Sequence, residues 1–257
     1  MKEKYYYDLH CHTLVSFDSP TKIKEIVKVA KQRGLDGVAI TDHNKTYKGP
    51  LKIDGIDIIP GCEITTKNNE HLLAYFINED PPEKMNPEEI FSFVKKQGGY
   101  SSLAHPFREG YEWFKNSQKS LEMTDGLESG NASDSEEKRS LARKIKKENS
   151  DILLFETAGS DAHMAGQIGF AVVETDQKIT KENFKKTLLN SSIIVRPEAE
   201  DFRKESSSLK NIVEKLGNFL KIYNLKIFRK LFFIFIVRNY FRIKNLGLKR
   251  IKFNYKK

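Results

Sequence analysis

The sequence predicts a single α/β domain over about its first 200 residues, with a mostly parallel sheet wound as a barrel or left open. Three observations lead there. Short apolar runs alternate with segments of helical periodicity, the order that βα units produce. Glycine and proline punctuate the joins. Polar residues able to bind a ligand gather where the apolar runs end, which in a parallel sheet is one rim.

The elements follow in order. Tyr5–Thr13 (YYYDLHCHT) is aromatic-rich and alternating, which suits a strand. Ser19-Pro20 opens a helix in which Ile23, Ile26, Val27 and Ala30 recur at helical spacing, and Gly34 marks its stop. Gly37–His43 reads as a buried strand, and Ile56–Thr65 and His71–Ile77 as two more. Asn86-Pro87 caps a helix to Gln97, which Gly98-Gly99 ends. Tyr100–Pro106 is a further strand. Ser133 and Glu136 form a capping box for a helix to about Lys147. Leu153–Ala162 and Gly169–Thr175 read as the last strands, and a final helix runs from Thr180 to about Asn190. The polar stretch Glu198–Ser208 reads as a linker.

The net charge of +9 hides a division. Residues 203–257 carry 16 Lys or Arg and 2 acids, whereas the other residues carry 28 and 33. The expected organisation is therefore a domain over residues 1–200 and a basic, aromatic-rich helical extension over 201–257. The longest apolar run in the extension, Leu231–Val237, is too short to span a bilayer, so no transmembrane segment is expected. Three readings of the extension stay open: a helix packed on the domain, a helix lying on an anionic membrane surface, or a nucleic-acid contact through aromatic stacking. Cys11 and Cys62 form no CxxC pair, which argues against a disulfide framework or a cysteine zinc site. With no apolar run before the first motif to suggest a secretory signal, the expected location is the cytoplasm, peripheral to a membrane if the extension binds lipid.

The six histidines carry the chemistry. His10 and His12 lie two apart on a strand, so they share a face, a usual way to hold a divalent ion. Asp161 and His163 repeat the spacing. Asp42 precedes His43, Glu63 follows Pro60-Gly61-Cys62, and Asp18 lies shortly after His12. His105 ends its strand, while His71 begins one and is the exception. Mixed imidazole and carboxylate donors suit zinc, manganese or iron rather than calcium. Ser160 lacks a GxSxG context, and no P-loop is present. Arg108 is a candidate to hold a phosphate bidentately, and Asn131 to hydrogen-bond a substrate. Lys45 reads as a solvated lysine, Cys11 and Cys62 as small core residues, and Trp113 as pocket wall or core.

The motifs DLHCHT (8–13), TDHN (41–44), PGCE (60–63), HLLAY (71–75), AHP (104–106) and SDAH (160–163), in this order, resemble the polymerase and histidinol phosphatase (PHP) superfamily of metal-dependent phosphoesterases. The resemblance implies a distorted seven-stranded (β/α) barrel with two or three divalent ions, zinc, manganese or iron, at its mouth. By position the ligands would be His10, His12, Asp18, His43, Glu63, His71, His105, Asp161 and His163. His10, His12, Glu63 and Asp161 would hold one ion. Glu63 would bridge to a second, held by His71 and His105, and Asp18, His43 and His163 would hold a third. Asp18 stands in Phe17-Asp18-Ser19-Pro20, where many relatives have Ser-Asp-Gly. The implied activity is hydrolysis of a small phosphorylated metabolite or nucleotide by a metal-activated water. Two alternatives stand beside it: a nuclease acting on nucleic-acid ends, and a metal-bearing regulatory or binding module working through the basic extension.

Overall fold

Tyr5–Cys11 forms β1, and every residue after the first is buried. A strand covered on both faces has to lie inside the sheet rather than at its edge. The computed structural model describes residues 3–108, 118–152, 154–201, 203 and 253–256. After β1 come α1 (Ile23–Gln32), β2 (Gly37–Ile40), β3 (Lys52–Ile53), β4 (Ile56–Thr65) and β5 (His71–Tyr75). Then follow α2 (Pro87–Lys96), β6 (Tyr100–Leu103), α3 (Gln118–Met123), β7 (Gly126–Asn131) and α4 (Glu136–Glu148). The chain continues through β8 (Phe155–Gly159), a 3-10 turn (Ala165–Gln167), β9 (Ala171–Thr175), α5 (Phe184–Leu189) and β10 (Ser192–Val195).

The sheet order is β10-β9-β1-β2-β4-β5-β6-β7-β8, with β3 on β4. β1, β2 and β4 run parallel, as do β6, β7 and β8. β5 is antiparallel to both its neighbours, and β9 is antiparallel to β1 and β10. The sheet curls until the chain after β8 meets β1, where Cys11 bridges Ala162 and His12 N–H donates to the Ala162 carbonyl at 3.0 Å. Buried Asp8 fastens this seam by accepting from Ser160 N–H (2.9 Å), the Ser160 hydroxyl (2.6 Å) and Gly169 N–H (2.7 Å). Gly159 makes the approach possible, since a Cβ there would fall 2.3 Å from the Cβ of His10. The outcome is a nearly closed barrel of the expected type.

Several expectations need correction. The sheet is mixed, not mostly parallel, and has ten strands among the described residues, not seven. The sequence pattern does not predict β3, α3, β7 or β10. β7 has the turn-like sequence GLESGN, yet all six residues are buried. Ser135, not Ser133, caps α4, accepting from Lys138 N–H. α5 begins at Phe184 because residues 181–183 form a turn, and residues 197–201 are helical where a linker was expected.

Trp113 and residues 204–252 of the basic extension lie outside the described residues. Residues 253–256 pack on the barrel. Tyr255 stacks on Tyr6 at 5.0 Å, and its hydroxyl donates to the Gly169 carbonyl at 2.7 Å. Its N–H donates to the Arg33 carbonyl at 3.0 Å. The guanidinium groups of Arg33 and Arg196 lie 4.3 and 4.6 Å from the Phe253 ring centre. Among the described residues no helix is long and apolar enough to cross a membrane.

Candidate metal centre

The barrel brings all nine expected ligand positions to one rim. His10 and His12 lie at and just beyond the end of β1, His43 and His105 follow β2 and β6, and Asp161 and His163 follow β8. Glu63 sits late in β4. His71, the apparent exception, begins β5; because β5 runs antiparallel to β4, its first residue lies at the same rim as the end of β4. Two of these positions have left-handed backbone, His105 at φ 28° and Asp161 at φ 52°. Such strain in non-glycine residues persists where the surroundings dictate it, often at functional sites.

Glu63 is the centre of the arrangement and is buried. Its Oε1 lies 2.8 Å from His71 Nδ1 and 2.9 Å from His105 Nε2. Its Oε2 faces His12 Nε2 at 3.3 Å, His10 Nε2 at 3.5 Å and His43 Nδ1 at 3.1 Å. Asp161 Oδ1 stands 3.5 Å from His10 Nε2 and 3.4 Å from His12 Nε2, which themselves are 3.1 Å apart. Asp18 Oδ2 lies 3.4 Å from His43 Nε2 and 3.1 Å from His163 Nε2. Thus His43 stands between Glu63 and Asp18.

Partners around this cluster fix which nitrogen faces inward. His10 Nδ1 donates to Glu128 Oε1 at 3.0 Å, and His163 Nδ1 to the Asp161 carbonyl at 3.0 Å. Ser16 gives its proton to Asp42 at 2.8 Å, so its oxygen accepts from His12 Nδ1 at 3.1 Å. In each case the second nitrogen keeps its lone pair for the cluster, the arrangement in which imidazoles bind metals. Arg108 Nη2 donates to Asp161 Oδ2 at 2.9 Å and to Asp134 at 3.3 Å. Buried Asn131 donates to Glu128 Oε2 at 2.9 Å and accepts from Ser133 N–H at 2.8 Å.

The donor set fits divalent ions. Four donors around an ion at zinc-like bond lengths stand about 3.3–3.6 Å apart when tetrahedral, and the five measured separations among His10, His12, Glu63 and Asp161 run from 3.1 to 3.5 Å. Glu63 Oε2 is buried without a hydrogen bond, although three nitrogens crowd it. A carboxylate oxygen facing imidazole lone pairs lacks compensation that a cation would supply. Where no cation is bound, protons take that place. Burial lowers His10, but Glu128, Asp161 and Glu63 outweigh it and raise the imidazole well above its ordinary value. Against its burial, His163 is pushed up to about 9 by Asp18 and Asp161, whereas burial takes His12 down to about 4. Burial raises Glu63 and Asp161, yet neighbouring His10 draws both well below the usual carboxylate range, helped by His71 at Glu63 and Arg108 at Asp161. Protons on imidazoles balance these carboxylates, and a metal would compete for the same nitrogens.

Sequence reasoning missed Glu128 and Asp134 and gave Asp42 no role. Glu128 lies in GLESGN, a run that the sequence pattern assigns to no element, so its inward direction has no periodic signal. Cys11 and Cys62 are free, buried thiols, and Lys45 is exposed and paired with Asp80 at 3.1 Å.

The PHP domain family matches residues 8–199. The chain belongs to the PHP family. A PHP-type barrel also accounts for the solved structures it is similar to. PsfC from Pseudomonas syringae superposes with a TM-score of 0.63 at 18% identity, over 81% of this chain and 98% of that one. Endonuclease Q from Pyrococcus furiosus gives 0.57 at 20%, over 74% and 58%. A two-domain protein from Bacteroides vulgatus containing a PHP-like phosphoesterase also gives 0.57 at 20%, over 76% and 65%. In sequence, a protein of Methanocaldococcus jannaschii is 37% identical over 116 residues, covering 39% of this chain and 67% of its own length. A probable phosphatase of Caldicellulosiruptor saccharolyticus is 38% identical over 69 residues, which is 22% of this chain and 29% of that protein. The PHP chain therefore matches about two thirds of the first relative and under a third of the second.

Proposed function

We propose that this chain hydrolyses a phosphoester of a small metabolite or nucleotide, at two or three divalent ions held by the nine residues gathered at the rim. One observation carries the reading: the two oxygens of buried Glu63 face two different sets of imidazoles, His71 and His105 on one side and His10, His12 and His43 on the other. A carboxylate so placed can serve two cations at once. Ions bound there would supply Lewis acidity to a phosphoryl oxygen and lower the pKa of a water.

The protein's own part is positioning and charge. Glu128 and Ser16 hold His10 and His12 with the free nitrogen inward. Arg108 is partly exposed, and its contact with Asp161 puts a guanidinium beside the cluster, where it would neutralise a phosphate oxygen. Asn131 spends its amide inside the network with Glu128 and Ser133, which favours orienting these groups. The charge of residues 203–257, 16 basic against 2 acidic side chains, favours a second reading as a nuclease on nucleic-acid ends. The same charge would serve a regulatory module on nucleic acid or an anionic membrane.

A panel of phosphoesters tests the proposal: sugar phosphates, mononucleotides and end-phosphorylated oligonucleotides, offered to manganese-loaded protein. Elemental analysis should find at least two equivalents of zinc, manganese or iron. Replacing His10 and His12 together by alanine should abolish metal retention and turnover. A metal-free, fully active double variant would overturn the reading.

A further inference from the structure

Five large apolar side chains are exposed among the described residues, and three of them fall in one stretch of four: Leu14, Val15 and Phe17, the last 90% exposed. Scattered apolar side chains on a surface are ordinary, whereas a local group beside a binding site marks something to be covered. The loop that carries them is tightly held. Thr13 donates to Asp42 through both its N–H and its hydroxyl at 2.7 Å, and the Ser16 hydroxyl donates to the same carboxylate at 2.8 Å. Leu14 N–H reaches the Thr21 carbonyl at 2.7 Å, and the Ser19 hydroxyl reaches that of His163 at 2.9 Å. The three side chains therefore face water from a fixed backbone.

Phe17 is placed with respect to the cluster. Its ring lies on that of His43, centroids 5.4 Å apart and planes at 27°. His43 in turn lies 3.1 Å from Glu63 and 3.4 Å from Asp18. The phenyl ring thus stands beside an imidazole of the cluster, in an offset arrangement that leaves nearly all of its surface open to solvent.

We propose that Phe17 is a stacking platform for a flat ring of the substrate, flanked by Leu14 and Val15, and that the substrate is a mononucleotide. This rests on the reading above, that the phosphoester sits at the cluster. The cluster and Arg108 recognise phosphate and have no use for an apolar rim. A sugar phosphate would turn hydroxyls toward Leu14, Val15 and Phe17 and leave them in water. A nucleotide joins a phosphate to a flat ring through a single pentose, the combination that a charged cluster with an adjoining aromatic surface accommodates. One platform accommodates one base, and stacking on it would be tolerant of base identity.

Calorimetric titration of the manganese-loaded full chain with adenosine 5′-monophosphate and with glycerol 3-phosphate tests this without needing turnover. The nucleotide should bind at least ten-fold more tightly than glycerol phosphate. Phe17→Ala and Phe17→Leu should both reduce that preference about ten-fold, and Phe17→Trp should keep it. Equal affinities in the native chain, or a preference retained in Phe17→Leu, would overturn the inference. The two readings separate cleanly in a parallel turnover assay. Nucleotide preference without hydrolysis of any phosphoester rejects the proposed function and keeps the platform, and hydrolysis of both esters with equal affinity does the reverse.

Discussion

His10 Nδ1 lies 3.0 Å from Glu128 Oε1, and both side chains are wholly buried. Glu128 has no slack in this role, because its other oxygen accepts from His105 N–H and from Asn131, each at 2.9 Å. Glutamine can present only one oxygen, so Glu128→Gln sets an amide against a donor on one side. Metal affinity should fall by about 10- to 100-fold, with the fold kept by circular dichroism. Competition against a chelator of known affinity measures it, and an unchanged affinity would mean that His10 is oriented by something else.

Glu63→Gln should be more severe. The amide keeps the shape but loses the charge, and its nitrogen would face either the His71–His105 side or the His10–His12–His43 side. Turnover should drop by about two orders of magnitude or more, with fewer bound ions by elemental analysis. Near-native turnover would show that the two oxygens of Glu63 do not serve two cations.

At the barrel seam, Asp8→Asn should cost stability directly. Asparagine offers one acceptor oxygen where Asp8 meets three donors from Ser160 and Gly169. A loss of about 2–4 kcal/mol is expected from urea unfolding. Gly159→Ala should also destabilise, by forcing β8 away from His10. A change under about 0.5 kcal/mol in either variant would locate the closure of the barrel elsewhere.

Removal of metal should loosen the same rim. A ligand present at about a hundred times its dissociation constant stabilises by about 2.7 kcal/mol, which for a domain of this size is about 5–10 °C in Tm. Chelator should lower the melting temperature by that amount, and added manganese or zinc should restore it. An identical melting curve with and without chelator would exclude a metal bound in the native fold.

Much of this architecture was legible because its signals were local. His10 and His12 betray a shared strand face by spacing alone, and Gly34 and Gly98-Gly99 stop their helices where expected. His71 was legible as a residue but not as a rim position, since strand direction depends on pairing with β4, which no local pattern encodes. β7 escaped for a related reason. Its buried polar residues Glu128 and Ser129 are satisfied by partners distant in sequence, His10 and Glu156, so they read as a turn when taken alone. Asp42 stood beside His43 as one more acid, and only the folded loop reveals that it organises Thr13 and Ser16 instead of joining the cluster.

Phe253 and Tyr255 dock on a barrel that belongs to their own chain. The described residues run to Arg203 and resume at Phe253, which lies beside Arg33, with Tyr255 on Gly169. One covalent chain, through residues 204–252, joins the two, so the contact is intramolecular and has an effective concentration. A single backbone cut among them would turn this self-association into a two-body equilibrium. If the contacts of Phe253 and Tyr255 are what hold the cut piece, it would leave on dilution and bare the face of Tyr6. Limited proteolysis followed by gel filtration would see that departure, and adding the piece back as a synthetic peptide should reverse it.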